Sequence, residues 1–229
     1  LSISDISRDQ LDLILELAQK FKEDKISLNF SNKVLGLIFD KSSTRTRVSF
    51  QVAMTRLGGT TIDLNPSTTQ IGRGEPIKDT ARVLSRYCDV LAIRTFKQSD
   101  LENYAKWSTK PVINALTDLE HPCQAIADFL TIKEEFGSFK DLTLTYVGDG
   151  NNVANSLILI SALMDVKIRV ACPRGYEPNH SVIEQAIRIN GNDKFLTISN
   201  DPNTAASGAN VLYTDCLLYT SDAADEHGC

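Results

Sequence analysis

The chain has no apolar run approaching the roughly 20 residues that a membrane-spanning helix needs, so no membrane partner is expected. Basic excess is missing too. With 24 Lys and Arg against 29 Asp and Glu, the net charge is −5, and no basic tail offers a footing for nucleic acid. The opening residues, LSISDISRDQ, lack the charged-then-apolar pattern of a secretory signal. Cysteine is sparse and scattered. Cys88, Cys123, Cys172, Cys216 and Cys229 form no C-x-x-C pair and no Cys/His cluster with zinc spacing. Free thiols in a cytoplasmic location are the expectation. Internal repeats and low-complexity stretches are also missing. What is present is an ordinary globular composition, 42% hydrophobic and 23% charged, in 229 residues that suffice for one or two domains.

Apolar runs alternate with helical periodicity along the chain. Ser7 and Gln10 read as a capping box for a helix carrying Leu11, Ile14, Ala18 and Phe21. The run from Lys33 to Phe39 reads as a buried strand, and the helix after it presents Phe50, Met54 and Leu57 before Gly58–Gly59 stop it. Further strands are expected at Thr60–Leu64, Val90–Arg94 and Val112–Asn114, with helices near Pro76–Arg86, Asp100–Trp107 and Pro122–Phe136. After FGSFKD the rhythm restarts. Strands are expected at LTLTYVG, VKIRVAC, Phe195–Ile198 and Val211–Thr214, and helices at Asn152–Met164 and Ser181–Ile189. This alternation predicts an α/β fold of two doubly wound parallel-sheet domains, residues 1–137 and 138–215.

In open α/β sheets, ligands bind beyond the carboxyl ends of strands. One such corner is DKSSTRTR, where Lys41, Arg45 and Arg47 are interleaved with four hydroxyl residues in an otherwise acidic chain. A helix N-terminus there favours anions, the hydroxyls of Ser43, Thr44 and Thr46 donate, and the Arg45 fork suits phosphate oxygens. Ordinary Ser/Thr capping beside solvated arginines accounts for the same pattern.

A second cluster is EHPCQ. His121 and Gln124 open a helix through Pro122, which suits the first helical turn; an imidazole and an amide there can polarise a carbonyl and hold an amide. A plain cap or surface histidine fits equally well. No second or third ligand stands near His121, so no metal is expected, and His121 and Cys123 diverge too far for a nucleophile pair. The third cluster, GDGNN, follows a strand and opens a helix as a dinucleotide loop does. Val153 occupies the third glycine's place, however, and the next strand ends without an acidic residue, so no such cofactor is expected. Asn151 and Asn152 either hold a small polar ligand or cap the helix.

Taken together, SSTRTRVSFQVAMTRLGG, TQIGRGEPIKDTARVLSRYCD, EHPCQAIADF and GDGNNVANSL resemble the aspartate/ornithine carbamoyltransferase family over nearly all of residues 1–215. GDGNN favours its ornithine branch. The resemblance implies transfer of a carbamoyl group from carbamoyl phosphate to the side-chain amine of L-ornithine, giving citrulline and phosphate in arginine biosynthesis, without cofactor, metal or covalent intermediate. It further implies that Ser43, Thr44, Arg45 and Thr46 cradle the phosphate. Arg94, Thr46 and His121 would polarise the carbamoyl oxygen, while Gln124 holds the amide. Gln70 would reach a neighbouring subunit's site in a homotrimer, and Asn152 and Asp215 would grip the amino-acid end of ornithine. Arg47, two residues beyond Arg45, is expected to be structural. Other readings are a carbamoyltransferase for another amine, such as putrescine or N-acylated ornithine, and a non-catalytic phosphate-binding protein.

The family pattern continues after VLYTD with a Ser-Met-Gly loop, a His-Cys-Leu-Pro motif and a final helix; here the chain reads CLLYTSDAADEHGC. The expectation is a C-terminally truncated second domain with little activity of its own. Residues 216–229 are expected to be non-native, because CLLYTSDAADE back-translates to the end of a transposon-type sequencing adapter.

Overall fold

The computed structural model describes residues 1–66 and 69–215. The chain divides into two compact units, Leu1–Gln124 and the remainder from Ala125. The expected boundary at 137–138 lies later, at the end of a helix whose first turn belongs to the first unit. The expectation of a non-native tail falls on residues 216–229, outside the described residues.

In the first unit β1 (Val34–Phe39), β2 (Thr60–Leu64), β3 (Val90–Arg94) and β4 (Val112–Leu116) form a parallel sheet in the order β2-β1-β3-β4. The helices are α1 (Arg8–Lys22), α2 (Arg45–Arg56), α3 (Ile77–Leu84), α4 (Gln98–Trp107) and the start of α5 (Pro122–Phe136). β1 is apolar throughout because both of its faces are covered. Leu35, Leu37 and Phe39 join Met54 of α2 in one core, while Ile38 points the other way, to Ala81 of α3 and Leu101 and Tyr104 of α4. The Ser7–Gln10 capping box forms as expected. α2 stops where Gly58 turns left-handed at φ 76°, and Gly58 N and Gly59 N donate to the Thr55 and Met54 carbonyls.

The second unit contains β5 (Thr143–Val147), β6 (Lys167–Ala171), β7 (Leu196–Ser199) and β8 (Val211–Tyr213), parallel in the order β7-β6-β5-β8. Its helices after α5 are α6 (Asn152–Met164), α7 (His180–Asn190) and α8 (Pro202–Ala206). α6 is buried nearly all round, from Val153 to Ala162, in keeping with a sequence that has no charged residue and takes Asn155, Ser156 and Ser161 inside with the apolar side chains. Two parallel four-stranded sheets with crossover helices make this the expected α/β fold. α8 was not anticipated, and β4 runs two residues further than expected.

Strand order decides where ligands can sit. In the first sheet the chain winds outward from β1 to β2 and in the opposite direction from β3 to β4. Its switch point therefore lies between β1 and β3, with Phe39 opposite Arg94 at their carboxyl ends. In the second sheet the switch lies between β5 and β8, where Tyr146 stands opposite Tyr213. Such crevices are where open α/β sheets bind ligands. No described helix is long and apolar enough to cross a membrane.

Candidate functional site

The basic corner leaves β1 at the first switch point. Thr44 occupies the N-cap of α2, yet its side chain makes no capping hydrogen bond. The contrast is internal to the molecule: Ser7, Asn151, Asn179 and Asp201 all cap their helices through side-chain oxygens. The capping explanation of the hydroxyl cluster therefore fails at Thr44. Arg45 and Thr46 form the first turn of α2, Arg45 exposed and Thr46 half-buried, and Ser43 is half-buried in the loop. An anion placed there meets the positive end of the helix.

The three cations divide by what they touch. Arg47 pairs with Asp63 on β2 and lies 5.0 Å from the Phe39 ring centroid. Lys41 pairs with Asp118 beyond β4 and lies 4.7 Å over the Phe96 ring. Two of the three are thus committed to carboxylates and rings of the fold, and Arg45 stands at the first helical position. The expectation that Arg47 is structural agrees with its contacts.

Arg94 ends β3 directly beside this corner, its carbonyl accepting from Asp40 N at 2.8 Å. The side chain is half-buried. Its Nε is buried with no hydrogen-bond partner among the described residues, and desolvation draws its pKa down. An arginine remains charged in a protein, so an enclosed guanidinium with an unmatched donor is suited to a carbonyl or phosphate oxygen.

His121 comes from the turn after β4, just before Pro122 opens α5. Its pKa is pulled down to about 4 from an ordinary value near 6.5, first by desolvation and then by the charge of Arg94. At neutral pH it is an uncharged imidazole, able to donate a hydrogen bond without bringing a second cation. Gln124 follows in the first turn of α5, half-buried. Between them Cys123 Sγ donates to the Asn114 carbonyl at 3.4 Å, and burial pushes its pKa up to about 11, so it is no nucleophile at neutral pH. Gln70 is not brought to this group. It begins an exposed 3-10 turn beyond β2, the opposite edge strand from β4.

At the second switch point Asn151, not Asn152, caps α6: its Oδ1 accepts from Val153 N at 2.9 Å and Ala154 N at 3.1 Å. Its Nδ2 donates to Asp215 Oδ2 at 2.9 Å. The Asp215 pKa is raised, chiefly by desolvation, with a push from Asp149 and an opposing pull from that hydrogen bond. Asn152 is the first helical residue and half-buried. The Asn151 link was missed at the sequence level, as was Tyr213, which stacks on Tyr146 at 6.0 Å and hydrogen-bonds Asp128. The Asn-Asn doublet was the only signal available for the first.

Gly150 answers why GDGNN mimics a dinucleotide loop. A Cβ there would lie 2.2 Å from Pro178 N and 2.4 Å from the Glu177 carbonyl carbon, and its own N–H donates to the Tyr176 carbonyl at 2.7 Å. The glycine admits a neighbouring backbone segment. Among the described residues no three His, Cys, Asp or Glu side chains gather as metal ligands.

Two family models cover the chain. The aspartate/ornithine carbamoyltransferase carbamoyl-P binding domain matches residues 1–134, and the Asp/Orn binding domain of the same family matches residues 140–227. The chain belongs to the aspartate/ornithine carbamoyltransferase family. Among curated relatives, the ornithine carbamoyltransferase of Prochlorococcus marinus subsp. pastoris is 72% identical over 215 residues, covering 94% of this chain and 70% of that protein. The Nostoc punctiforme ornithine carbamoyltransferase is 58% identical over the same share of each. Among solved structures, the Gloeobacter violaceus ornithine carbamoyltransferase superposes with a TM-score of 0.86 at 51% identity, covering 95% of this chain and 73% of that one. The enzyme from Pyrococcus furiosus gives 0.89 at 43% identity, covering 95% and 71%. Both domains of the family are therefore represented, and the chain spans about 70% of its curated relatives' length.

Proposed function

We propose that this chain carries the transfer of a carbamoyl group from carbamoyl phosphate to the side-chain amine of L-ornithine, giving citrulline and phosphate. The observation that carries the proposal is the meeting, at one switch point, of an uncapped α2 N-terminus, the unmatched Arg94 Nε and an uncharged His121. Binding an anion alone asks only for the first.

In this reading the phosphate lies on the N–H groups of the α2 first turn, with Ser43, Thr44 and Thr46 hydroxyls and the Arg45 fork around it. The carbamoyl oxygen faces Arg94, His121 and Thr46, and Gln124 holds the amide. As the neutral ornithine amine attacks the carbamoyl carbon, negative charge grows on that oxygen. Donors fixed beforehand stabilise it, each worth about 3–4 kcal/mol where measured in other enzymes. Collapse expels phosphate, which accepts the amine's proton. Holding both reactants together contributes roughly 7–11 kcal/mol in favourable cases. Asn152 and Asp215 hold the amino-acid end of ornithine, Gln70 serves a neighbouring subunit of a homotrimer, and the setting is cytoplasmic.

Release of phosphate from carbamoyl phosphate, with the carbamoylated product identified for ornithine, putrescine or N-acetylornithine as acceptor, tests the reading. Product with ornithine, at the low rate expected above, supports the reading. Product only with another amine would overturn the assignment of the acceptor, and carbamoyl phosphate that fails to bind at all would overturn the whole.

A further inference from the structure

The site's groups arrive on three separate loops: Ser43–Thr46 after β1, Arg94 at the end of β3, and His121 after β4. Backbone hydrogen bonds continue past the strand ends, but only between neighbours. Asp40 N reaches the Arg94 carbonyl at 2.8 Å, Thr95 N the Leu116 carbonyl at 3.0 Å, and Asp118 N the Phe96 carbonyl at 2.8 Å. The β1 and β4 loops are not neighbours, because β3 lies between them. Two strand spacings, about 9–10 Å, separate them, beyond any backbone bond.

Lys41 crosses that gap. It starts two residues before Ser43, lays its ammonium over the Phe96 ring two residues past Arg94, and pairs with Asp118 three residues before His121. The lysine side chain is 23% exposed and that of Asp118 61%. Asp118 belongs to the loop that ends at His121, a turn closed by Thr117 N donating to the Glu120 carbonyl and Glu120 N to Thr117 Oγ1. One side chain thus touches all three loops that deliver the binding groups.

We propose that Lys41 and Asp118 form a positioning clamp that sets the phosphate loop and the His121 loop at their working separation. The inference rests on the carbamoyl phosphate reading of this site and adds two residues that reach the ligand only through others. It has a sharp rival. If Lys41 were instead an extra phosphate ligand restrained by Asp118, removing the carboxylate would release the cation toward the anion.

The two accounts predict opposite signs. Calorimetric titration with carbamoyl phosphate should show Asp118→Asn and Lys41→Met each weakening affinity by about tenfold, the double variant no worse than either, and Lys41→Arg close to the parent. Tighter binding by Asp118→Asn, or additive losses in the double variant, would overturn the clamp. Amide hydrogen exchange of the ligand-free chain gives an independent reading. Exchange at Asp40 and Asp118 should accelerate in Asp118→Asn relative to the parent, and unchanged exchange would contradict the clamp. If the parent fails to bind carbamoyl phosphate, the functional reading falls, while the exchange result still decides whether the loops are clamped.

Discussion

Asn151 donates from Nδ2 to Oδ2 of Asp215 at 2.9 Å, joining two residues 64 positions apart at the carboxyl ends of β5 and β8. The same asparagine caps α6 with its other side-chain atom. It thus fixes a helix start and a carboxylate together, while Asn152 beside it is the first helical residue.

This division makes the two asparagines separable. Asn151→Ala should cost about 1–2 kcal/mol of stability through the lost cap, and should raise the Asp215 pKa further by removing the hydrogen bond that lowers it. Thermal unfolding and carboxyl NMR titration read the two effects. Asn152→Ala should leave stability nearly unchanged and raise the ornithine KM selectively; equal losses for both substrates would assign it a structural role.

His121 should titrate near pH 4 by NMR. Replacing Arg94 with Gln should raise that value, because the Arg94 charge is the second cause of its depression, yet leave it below 6.5, because desolvation is the first. The sign for stability follows. Between pH 6.5 and 4 the unfolded chain binds a proton that the native imidazole refuses, so stability is lost as pH falls through that window, on the order of 3 kcal/mol in all. His121→Asn should flatten this part of the unfolding free energy against pH.

Arg47→Gln removes an ion pair with Asp63 and a contact with the Phe39 ring. A cost of about 1 kcal/mol is expected from denaturant unfolding, with carbamoyl phosphate affinity far less affected than by loss of Arg45.

Gly150→Ala forces a methyl group into the Glu177–Pro178 backbone. Because neither partner is a flexible side-chain end, the loop must move, and destabilisation of more than about 2 kcal/mol is expected by denaturant titration. An unchanged midpoint would mean that the 173–178 segment yields easily.

Much of the fold was legible because it is locally encoded. The Ser7–Gln10 box, the two-faced apolar run of β1 and the Gly58 stop each declare themselves within a few residues. The short α8 did not: five residues begun by Asp201 and Pro202 carry no apolar period. The candidate site was legible as a set of loops, since strand-to-helix corners are visible in sequence. Its internal wiring was not. That Lys41 meets Asp118, and Asn151 meets Asp215, depends on strand orders in which β3 separates β1 from β4 and β8 returns beside β5. Nor does spacing reveal that Thr44 declines to cap its helix. That feature needs the backbone, and it is what the proposed phosphate site rests on.

The most direct test is calorimetric titration of carbamoyl phosphate into the parent chain and into Arg45→Ala. A single site in the parent, weakened a hundredfold or more (about 3 kcal/mol) in the variant, is the predicted result for loss of a charge-assisted fork. Equal affinity in the two proteins would contradict the placement of phosphate at the α2 N-terminus, and with it the account of the site.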